Sequence, residues 1–388
     1  MQPTFSILIP TRDRPATLRS TLMSVVNQIG DDFEVVIADN FSGPATKLLA
    51  DEFRKIYPFV HYICTDEVLP MAENWEAGLL ACRGKYITIL GDDDGFLPHT
   101  LVDVRKLIAQ TNPSVITWEP HTYWWPDTIV YWNANRIYLH LESKMMWIKS
   151  DSLLEHFFAG RCSFSLLPMI YSSFVEKTVI DQCRELWGRY FVPRNLAPDI
   201  TSGIVNLFFT EQILYSYRGL TVRGNSGKSN GTAQWARSLG AKQRAIYFEE
   251  ERKTLAEIMH PSLIPSPNLN IIVENIKLHC RDFFYKDKEP INIDLRPVVD
   301  AIISQLNQDP DAYHDNLADA KALAEKINYQ FDPSKIPPLT PVTRRKTSGP
   351  MQMQGFSQSW IIFDGDMAGI HDVYGAGRMI QSMLPPLD

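Results

Sequence analysis

The sequence contains no hydrophobic run long enough to cross a membrane. A transmembrane helix requires about 20 consecutive apolar residues, whereas the most apolar stretch, residues 202–215, is interrupted by Glu211 and Gln212. The apolar run near the N-terminus, residues 5–9, stops at Pro10 and charged residues and is too short for a signal peptide. We therefore expect a cytoplasmic protein without a transmembrane segment, at most peripheral to a membrane.

The sequence also lacks paired cysteines and an excess of positive charge. Its five cysteines are scattered without C-x-x-C spacing, which is typical of reduced thiols and argues against a disulfide framework or a zinc site. The formal net charge of −7 provides no broad basic surface, so a nucleic-acid partner is not expected. With 388 residues, of which 45% are hydrophobic, the chain can form one large globular domain or two ordinary ones.

Short apolar runs alternate with helical patterns through the first 118 residues. The alternation predicts a mainly parallel sheet with helices on both faces. Pro10, Asp39 and Asp92 follow three of the strands and should share the sheet edge where ligands usually bind. The predicted strands cover residues 5–9, 34–38, 59–64, 86–90 and 114–118, and the predicted helices begin at Pro15 and Pro44 and cover residues 71–82 and 98–110.

Three adjacent carboxylates, Asp92, Asp93 and Asp94, follow the predicted strand at residues 86–90. Like charges this close repel unless a cation lies between them. Mg²⁺ and Mn²⁺ prefer oxygen ligands and are often held by one or two carboxylates together with substrate phosphates. The alternative is a solvated acidic turn in which Gly95 supplies a positive φ angle. The triplet by itself is consistent with both.

The pattern becomes less regular after residue 118. We expect a hairpin of residues 128–132 and 136–140, a strand at 212–217 and a flexible loop at 220–231. Helices are predicted over residues 151–158 and 174–187, and from Asp199 to about residue 209. The tryptophans at 118, 124 and 125 suit stacking on a sugar ring, but equally a hydrophobic core or a subunit contact.

Two further segments complete the chain. Residues 233–332 are mostly helical in pattern, and residues 333–388, rich in proline at their start, are expected to form an extended C-terminal tail with little core of its own. The helices lack the strongly basic face typical of membrane binding. We therefore expect them to pack on the rest of the chain or to form a homo-oligomer.

Three blocks of sequence resemble family 2 glycosyltransferases of the GT-A fold. In order, they are SILIPTRDRPATLRSTLMSVVNQ, FEVVIADNFSG and NWEAGLLACRGKYITILGDDDGFLP. The resemblance covers roughly residues 4 to 110 and implies an α/β, GT-A-type Rossmann-like sheet, flanked by helices, with an α-helical C-terminal extension. It further implies a glycosyltransferase domain over residues 1–232, divided into a nucleotide-sugar-binding half, 1–118, and an acceptor half, 119–232.

The resemblance also implies a reaction. Family members invert the anomeric centre while they move a sugar from a nucleoside-diphosphate sugar, here expected to be a UDP-sugar, to a hydroxyl of a saccharide or glycan precursor. A divalent metal, Mn²⁺ or Mg²⁺, neutralises the donor diphosphate as it leaves. The alternative is a non-catalytic nucleotide-sugar-binding or assembly module of the same fold.

The resemblance assigns roles to individual residues. Asp199, in a Pro-Asp context, would be the catalytic base that deprotonates the acceptor; the alternative is that it only caps a helix, and Asp181, Glu185 and Glu211 remain candidates for the base. The other implied contacts are Pro10, Thr11, Arg12, Arg14, Asp39, Asp92 and Asp93 to the nucleotide, Asp93 and Asp94 to the metal, Arg223 and Lys228 to the diphosphate, and Trp118, Trp124 and Trp125 to the acceptor. Asp92 would face the ribose or the metal, and which acid of the triplet binds the metal directly stays open.

Overall fold

The computed structural model describes residues 2–191, 196–286, 291–341, 352–353, 360–385 and 387. Its strands, in chain order, are β1 Phe5–Thr11, β2 Phe33–Asp39, β3 Val60–Cys64, β4 Tyr86–Ile89, β5 Gly95–Phe96, β6 Val115–Trp118, β7 His121–Trp124, β8 Arg136–His140, β9 Met145–Lys149, β10 Ser173–Glu176, β11 Gln212–Ser216, β12 Thr221–Asn225, β13 Gln352–Met353 and β14 Trp360–Asp364. Its helices are α1 Pro15–Val26, α2 Pro44–Ile56, α3 Met71–Ala81, α4 Thr100–Thr111, α5 Ser150–Phe158, α6 Lys177–Trp187, α7 Pro198–Phe208, α8 Asn230–Trp235, α9 Ala241–Glu251, α10 Leu255–Ile258, α11 Leu269–Phe284, α12 Arg296–Ser304, α13 Tyr313–Lys326, α14 Gly365–Ala368 and α15 Val373–Met383.

The main sheet has the strand order β3-β2-β1-β4-β10-β6-β11-β9. Strands β3, β2, β1 and β4 are parallel, as are β6 and β11, while β10 and the edge strand β9 are antiparallel to their neighbours. Ile7 and Ile9 of β1 belong to a core with α1, α2 and α4, whereas Leu8 belongs to a second core with α3, α5 and α7. Because successive side chains of a strand point to opposite faces, helices cover both faces of the sheet. The predicted α/β fold class is confirmed.

Two predictions between residues 118 and 187 were wrong. Residues 174–176, predicted as the start of a helix, belong to β10, where Phe174 and Val175 are fully buried between β4 and β6. Strand β8 is present, but its hairpin partner is β7 and not residues 128–132. The intervening segment contains a 3₁₀ turn at Tyr131–Asn133, so its aromatic residues gave a false strand pattern.

A second sheet, with the order β13-β14-β8-β7-β12-β5, lies beside the acidic triplet. Residues 221–225, predicted within a flexible loop, form its strand β12, which pairs in parallel with β7 and antiparallel with β5. Val222 at its centre is fully buried. Arg223 is therefore held on a strand and not on a mobile loop.

The C-terminal residues 360–385 were wrongly predicted to be an extended tail. They form β14 and α15, and Val373, Ala376 and Ile380 of α15 are fully buried in a core with Tyr123 of β7 and Val222 of β12. The three apolar residues of α15 recur at helical spacing. The prolines that precede them in the sequence led to the prediction of an extended tail. The TRRK run at residues 343–346 lies outside the described residues.

The predicted helices after residue 233 are present as α9 to α13. Ile271, Val299 and Leu323 of this region share one core with Leu8 of β1, so these helices extend the core on one side of the main sheet. The boundaries at residues 232 and 332 and the expected self-association stay predictions. Within the described ranges, no helix is long and apolar enough to span a membrane.

Candidate active site

A cavity of about 760 Å³ opens at the carboxyl ends of β1 and β4. Its size lies within the range of roughly 300–1,000 Å³ that is usual for small-molecule sites. The main sheet, β12, the start of α7 and the helices α8, α9 and α11 all contribute to its wall. Residues predicted from sequence that line it are Pro10, Thr11, Arg12, Arg14, Asp92, Asp93, Trp124, Asp199, Arg223 and Lys228.

The acidic triplet is buried, which rules out the solvated turn. Asp92, Asp93 and Asp94 are 4%, 4% and 2% exposed. Asp92 and Asp93 line the cavity, whereas Asp94 lies behind its wall. Adjacent residues of the triplet therefore have different surroundings.

Asp92 is held by the loop that follows β1. Thr11 Oγ1 donates a hydrogen bond of 2.7 Å to Asp92 Oδ2, and Arg14 Nη1 donates one of 3.1 Å to Oδ1. Arg14 also donates to the carbonyl oxygen of Lys228. This guanidinium supplies part of the positive charge that the buried acids require.

Asp93 is linked to the loop that follows β12. Ser226 donates to Asp93 Oδ2 through its hydroxyl at 2.5 Å and its backbone N–H at 3.3 Å. Burial, together with the neighbouring Asp94 carboxylate, raises the pKa of Asp93 to about 7. The described residues donate no hydrogen bond to the other oxygen, Oδ1, so this atom is available to a ligand in the cavity.

Asp94 fixes the second sheet to the triplet. Its Oδ1 accepts a 2.6 Å hydrogen bond from the backbone N–H of Gly224, and its Oδ2 accepts one of 3.2 Å from Gly91; the Tyr171 hydroxyl is a further donor. Burial raises the pKa of Asp94 to about 6. Because its oxygens are engaged behind the cavity wall, the predicted contact of Asp94 with a metal does not fit this placement.

Gly224 shows how tightly β12 approaches the triplet. A Cβ atom at this position would lie 1.8 Å from the carbonyl oxygen of Asp93. Only glycine allows such a backbone approach. Trp125 also contacts this group, because its Nε1 donates a 2.9 Å hydrogen bond to the carbonyl oxygen of Asp93.

The acids fit a divalent metal that is shared with a ligand. Among the residues that the structure describes, no three His, Cys, Asp or Glu side chains form a metal-binding group, so the protein does not provide a complete cage. Mg²⁺ and Mn²⁺ are commonly held by one or two carboxylates, with phosphates and waters completing the shell. Asp93, with Asp92 beside it, matches this arrangement.

Asp199 lies in the first turn of α7 and lines the cavity. The cap position belongs to Ala197 and not to Asp199. Burial raises the pKa of Asp199, while the backbone N–H of Ile200 and the nearby Arg223 act against this rise. Both the role of Asp199 as the base and the alternative that it only stabilises the helix end stay predictions. A carboxylate with a raised pKa inside a cavity is suited to accept a proton.

The other candidates for the base lie elsewhere. Asp181 is half-buried on α6, where it pairs with Lys177 at 2.7 Å. Glu185 and Glu211 are exposed and are not among the described residues of the cavity wall.

Two cations predicted to bind diphosphate are placed by β12 and its following loop. Arg223 is close enough to lower the pKa of both Asp94 and Asp199, so its charge lies between the triplet and α7. Lys228 Nζ donates a 3.0 Å hydrogen bond to the Asp13 carbonyl oxygen. The segment 226–229 is therefore tied across the loop that follows β1.

The predicted acceptor tryptophans separate into two groups. Trp118 is buried and bonded through Nε1 to Thr221, and Trp125 is buried against the triplet; neither lines the cavity, so their assignment to the acceptor was wrong. Trp124 does line it.

Asp39 lies behind the cavity wall. Its carboxylate accepts hydrogen bonds from the Ser42 backbone N–H at 2.9 Å and the Tyr62 hydroxyl at 2.8 Å, and Asn40 forms the wall beside it. The observed role of Asp39 is to fix the turn after β2. Its contact with a nucleotide base stays a prediction.

Sequence reasoning missed several residues of the site. Glu250 of α9 forms an ion pair with Arg12 at the cavity, and Tyr171, Ser226 and Trp235 also belong to its wall or to its hydrogen bonds. A lone Ser, Glu or Tyr far from any motif carries no local signal. Among these residues, only Trp235, a tryptophan beside a predicted loop, could have been recognised from the sequence as a candidate binding residue.

The first part of the chain is similar to known glycosyltransferases. A family model described as "Glycosyl transferase family 2" matches residues 6–165. An "Uncharacterized glycosyltransferase" from Haemophilus influenzae is 29% identical over 111 residues, which are 28% of this chain and 36% of that protein. A GalNAc(5)-diNAcBac-PP-undecaprenol beta-1,3-glucosyltransferase from Campylobacter jejuni is 28% identical over 100 residues, 26% of this chain and 32% of that protein. The chain spans about a third of the length of these relatives.

A search of solved structures gives S. aureus TarS 1-349 in complex with UDP-GlcNAc. The alignment has a TM-score of 0.49 and 12% identity, and it covers 85% of this chain and 94% of that one.

Proposed function

We propose that this chain, whose residues 6–165 match the model of glycosyl transferase family 2, moves a sugar from a nucleoside-diphosphate sugar to a hydroxyl of a saccharide or glycan precursor. The donor that we propose is a UDP-sugar, and the transfer inverts the anomeric centre. The observation that carries this proposal is the placement of Asp93, Arg223 and Asp199 on the wall of one cavity.

The acid end of the cavity binds the donor diphosphate in this proposal. Arg14, Arg223 and Lys228 contribute three positive charges there. As the bond between the anomeric carbon and the diphosphate oxygen breaks, negative charge grows on the leaving diphosphate, and fixed cations stabilise it. Asp92 keeps Arg14 in place through their hydrogen bond.

Asp93, with Asp92 beside it, would hold a divalent Mn²⁺ or Mg²⁺ ion. When bound, such an ion supplies Lewis-acid stabilisation of the leaving diphosphate. Asp93 is suited to this because its Oδ2 is oriented by Ser226 while Oδ1 is available. Asp94 supports the geometry from behind through Gly224.

Asp199 acts as the general base. Its carboxylate takes the proton from the acceptor hydroxyl as that oxygen bonds to the anomeric carbon and the diphosphate departs with its electron pair. The raised pKa supports this role, because a more basic carboxylate accepts a proton more readily. The backbone N–H of Ile200 and the nearby Arg223 favour the ionised form, which is the form that accepts a proton.

A thermal-shift screen of nucleoside diphosphates and their sugars, with and without Mn²⁺, tests the donor. A ligand that binds only the native state stabilises it by about 2.7 kcal/mol at a hundred times its dissociation constant. We expect UDP to raise the melting temperature in the presence of Mn²⁺ only. A folded protein that no nucleotide stabilises would contradict the proposal.

A further inference from the structure

Trp235 presents an unusually exposed aromatic ring to the cavity. The residue ends α8, is 50% exposed and lines the cavity wall. Its ring lies 6.3 Å from that of Trp124 of β7, with an angle of 58° between the planes. The two indoles thus form one aromatic corner, contributed by two separate parts of the chain.

The position of Trp235 is fixed from both sides. On the donor side, Ser229 caps α8, and Thr232 donates a 2.9 Å hydrogen bond to Asn225 at the end of β12. On the other side, Arg237 pairs with Asp319 at 2.5 Å. These contacts fix the backbone that carries the ring, and a preorganised backbone lowers the cost of binding.

An amide lies next to the ring. Gln234 is on the wall between the large cavity and a small adjoining one of about 90 Å³. Its Oε1 is enclosed and accepts no hydrogen bond from the described residues. An unpaired buried amide oxygen is costly, and a rotation of this side chain would offer it to a hydroxyl in the cavity.

We propose that Trp235 and Trp124 form the acceptor subsite, where the apolar face of a pyranose ring stacks on the indoles and Gln234 accepts a hydrogen bond from a sugar hydroxyl. This inference rests on the proposed function and names the acceptor as a saccharide that presents such a face. It places part of the acceptor wall at Gln234 and Trp235, just beyond the expected acceptor half at residues 119–232.

The other tryptophans near the site support this choice. Trp118 and Trp125 are less than 10% exposed, and their indole N–H groups are used in internal hydrogen bonds. Stacking on a sugar requires an open ring face, which Trp235 has and these two lack. Trp147, 40% exposed on the edge strand β9 and outside the described cavity wall, is a matched control.

The test measures binding of the fluorescently labelled protein to an array of oligosaccharides, in the presence of UDP and Mn²⁺. The variants are Trp235→Ala, Trp235→Phe and the control Trp147→Ala. We expect the wild-type protein to bind a subset of glycans, Trp235→Ala to bind them at least tenfold more weakly, and Trp235→Phe and Trp147→Ala to stay within about threefold of wild type. The affinity for UDP, measured by calorimetry, should be the same in all four proteins.

Two results would overturn the subsite: no glycan bound by the wild-type protein, or unchanged glycan affinity in Trp235→Ala. Failure of the proposed function is a different result. In that case no nucleotide binds and no nucleotide sugar is consumed, while the loss of glycan binding in Trp235→Ala would still stand.

Discussion

The Ser226 hydroxyl donates a 2.5 Å hydrogen bond to Asp93 Oδ2, across 133 positions of sequence. This bond ties the segment 226–229, which follows β12, to the acidic triplet. The same segment is bonded to Arg14 and Asp13 through Lys228. The segment that carries Lys228, for which we propose diphosphate binding, is thus bonded to the carboxylate that would hold the metal.

Ser226→Ala should weaken metal-dependent binding of UDP by about tenfold. A hydrogen bond to a charged group contributes about 1.5–3 kcal/mol, and its loss leaves both Asp93 and the segment 226–229 less well oriented. Calorimetry with UDP and Mn²⁺ measures the effect. Ser304→Ala, which removes an exposed hydroxyl from the end of α12, is the control and should bind UDP as wild type does. Equal affinities in the two variants would contradict the role of the Ser226 bond.

The variants Asp93→Asn and Asp94→Asn should lose different properties, the first its metal response and the second its stability. Asp93 faces the cavity, so its variant should stay folded and lose the dependence of UDP affinity on Mn²⁺. Asp94 is bonded to Gly224 and Gly91 behind the wall, so its variant should lose about 1–3 kcal/mol of stability. Melting temperatures and UDP titrations with and without Mn²⁺ distinguish the two. A stable Asp94→Asn protein with no metal response would restore Asp94 as the metal ligand.

The pH dependence follows from the raised pKa of Asp93, about 7. Above this pH the carboxylate is ionised in both the folded and unfolded chain; below it, the folded chain binds a proton that the unfolded chain, with an ordinary pKa near 4, does not. The metal-free protein should therefore gain stability as the pH falls from 8 to 6. Metal-dependent UDP affinity should fall over the same range, because the proton competes with the metal. As the pH falls from 8 to 6, the melting temperature of Asp93→Asn should rise less than that of the wild-type protein. An equal rise would contradict the assignment of the raised pKa to Asp93.

The C-terminal helix α15 should be required for stability. Ile380 is fully buried against the second sheet, and Val373 packs on Gly95, the residue after the triplet. Ile380→Ala should lower the free energy of unfolding by about 2–5 kcal/mol because it leaves a cavity in this core. Urea denaturation measures it, with the exposed Met383→Ala as control. A variant as stable as the control would mean that α15 does not pack as described.

Five of the six strands in the first 118 residues could be predicted because each is a compact apolar run that ends in a turn; the two-residue strand β5, Gly95–Phe96, carries no such pattern. Strand β10 could not, since Phe174 and Val175 run directly into the helical pattern of α6. Strand β12 was hidden because Gly224, needed for the close approach to Asp93, makes the segment resemble a loop.

The chemistry of the site was predictable in kind but not in detail. Three adjacent acids predict a charged site. Only the structure distinguishes Asp93, which faces the cavity, from Asp94, which is bonded to β12. Trp118 is buried and Trp124 lines the cavity, and the sequence around each tryptophan does not indicate this difference. The partners of Asp93 and Asp94 on β12 and its loop depend on contacts between residues 130 or more positions apart.

The central claim is that this cavity transfers a sugar with Asp199 as the base. The most direct test is the release of UDP from a panel of UDP-sugars with Mn²⁺ and supplied saccharides, comparing wild type, Asp199→Asn and the control Asp181→Asn. We expect release by wild type and by the control, and a loss of about 10²–10⁴-fold in Asp199→Asn with its UDP affinity retained, since general-base catalysis contributes about that much. Release by Asp199→Asn at the wild-type rate would contradict the assignment of the base. A wild-type protein that binds UDP-sugars but releases UDP from none of them would identify a binding module and contradict the account as a whole.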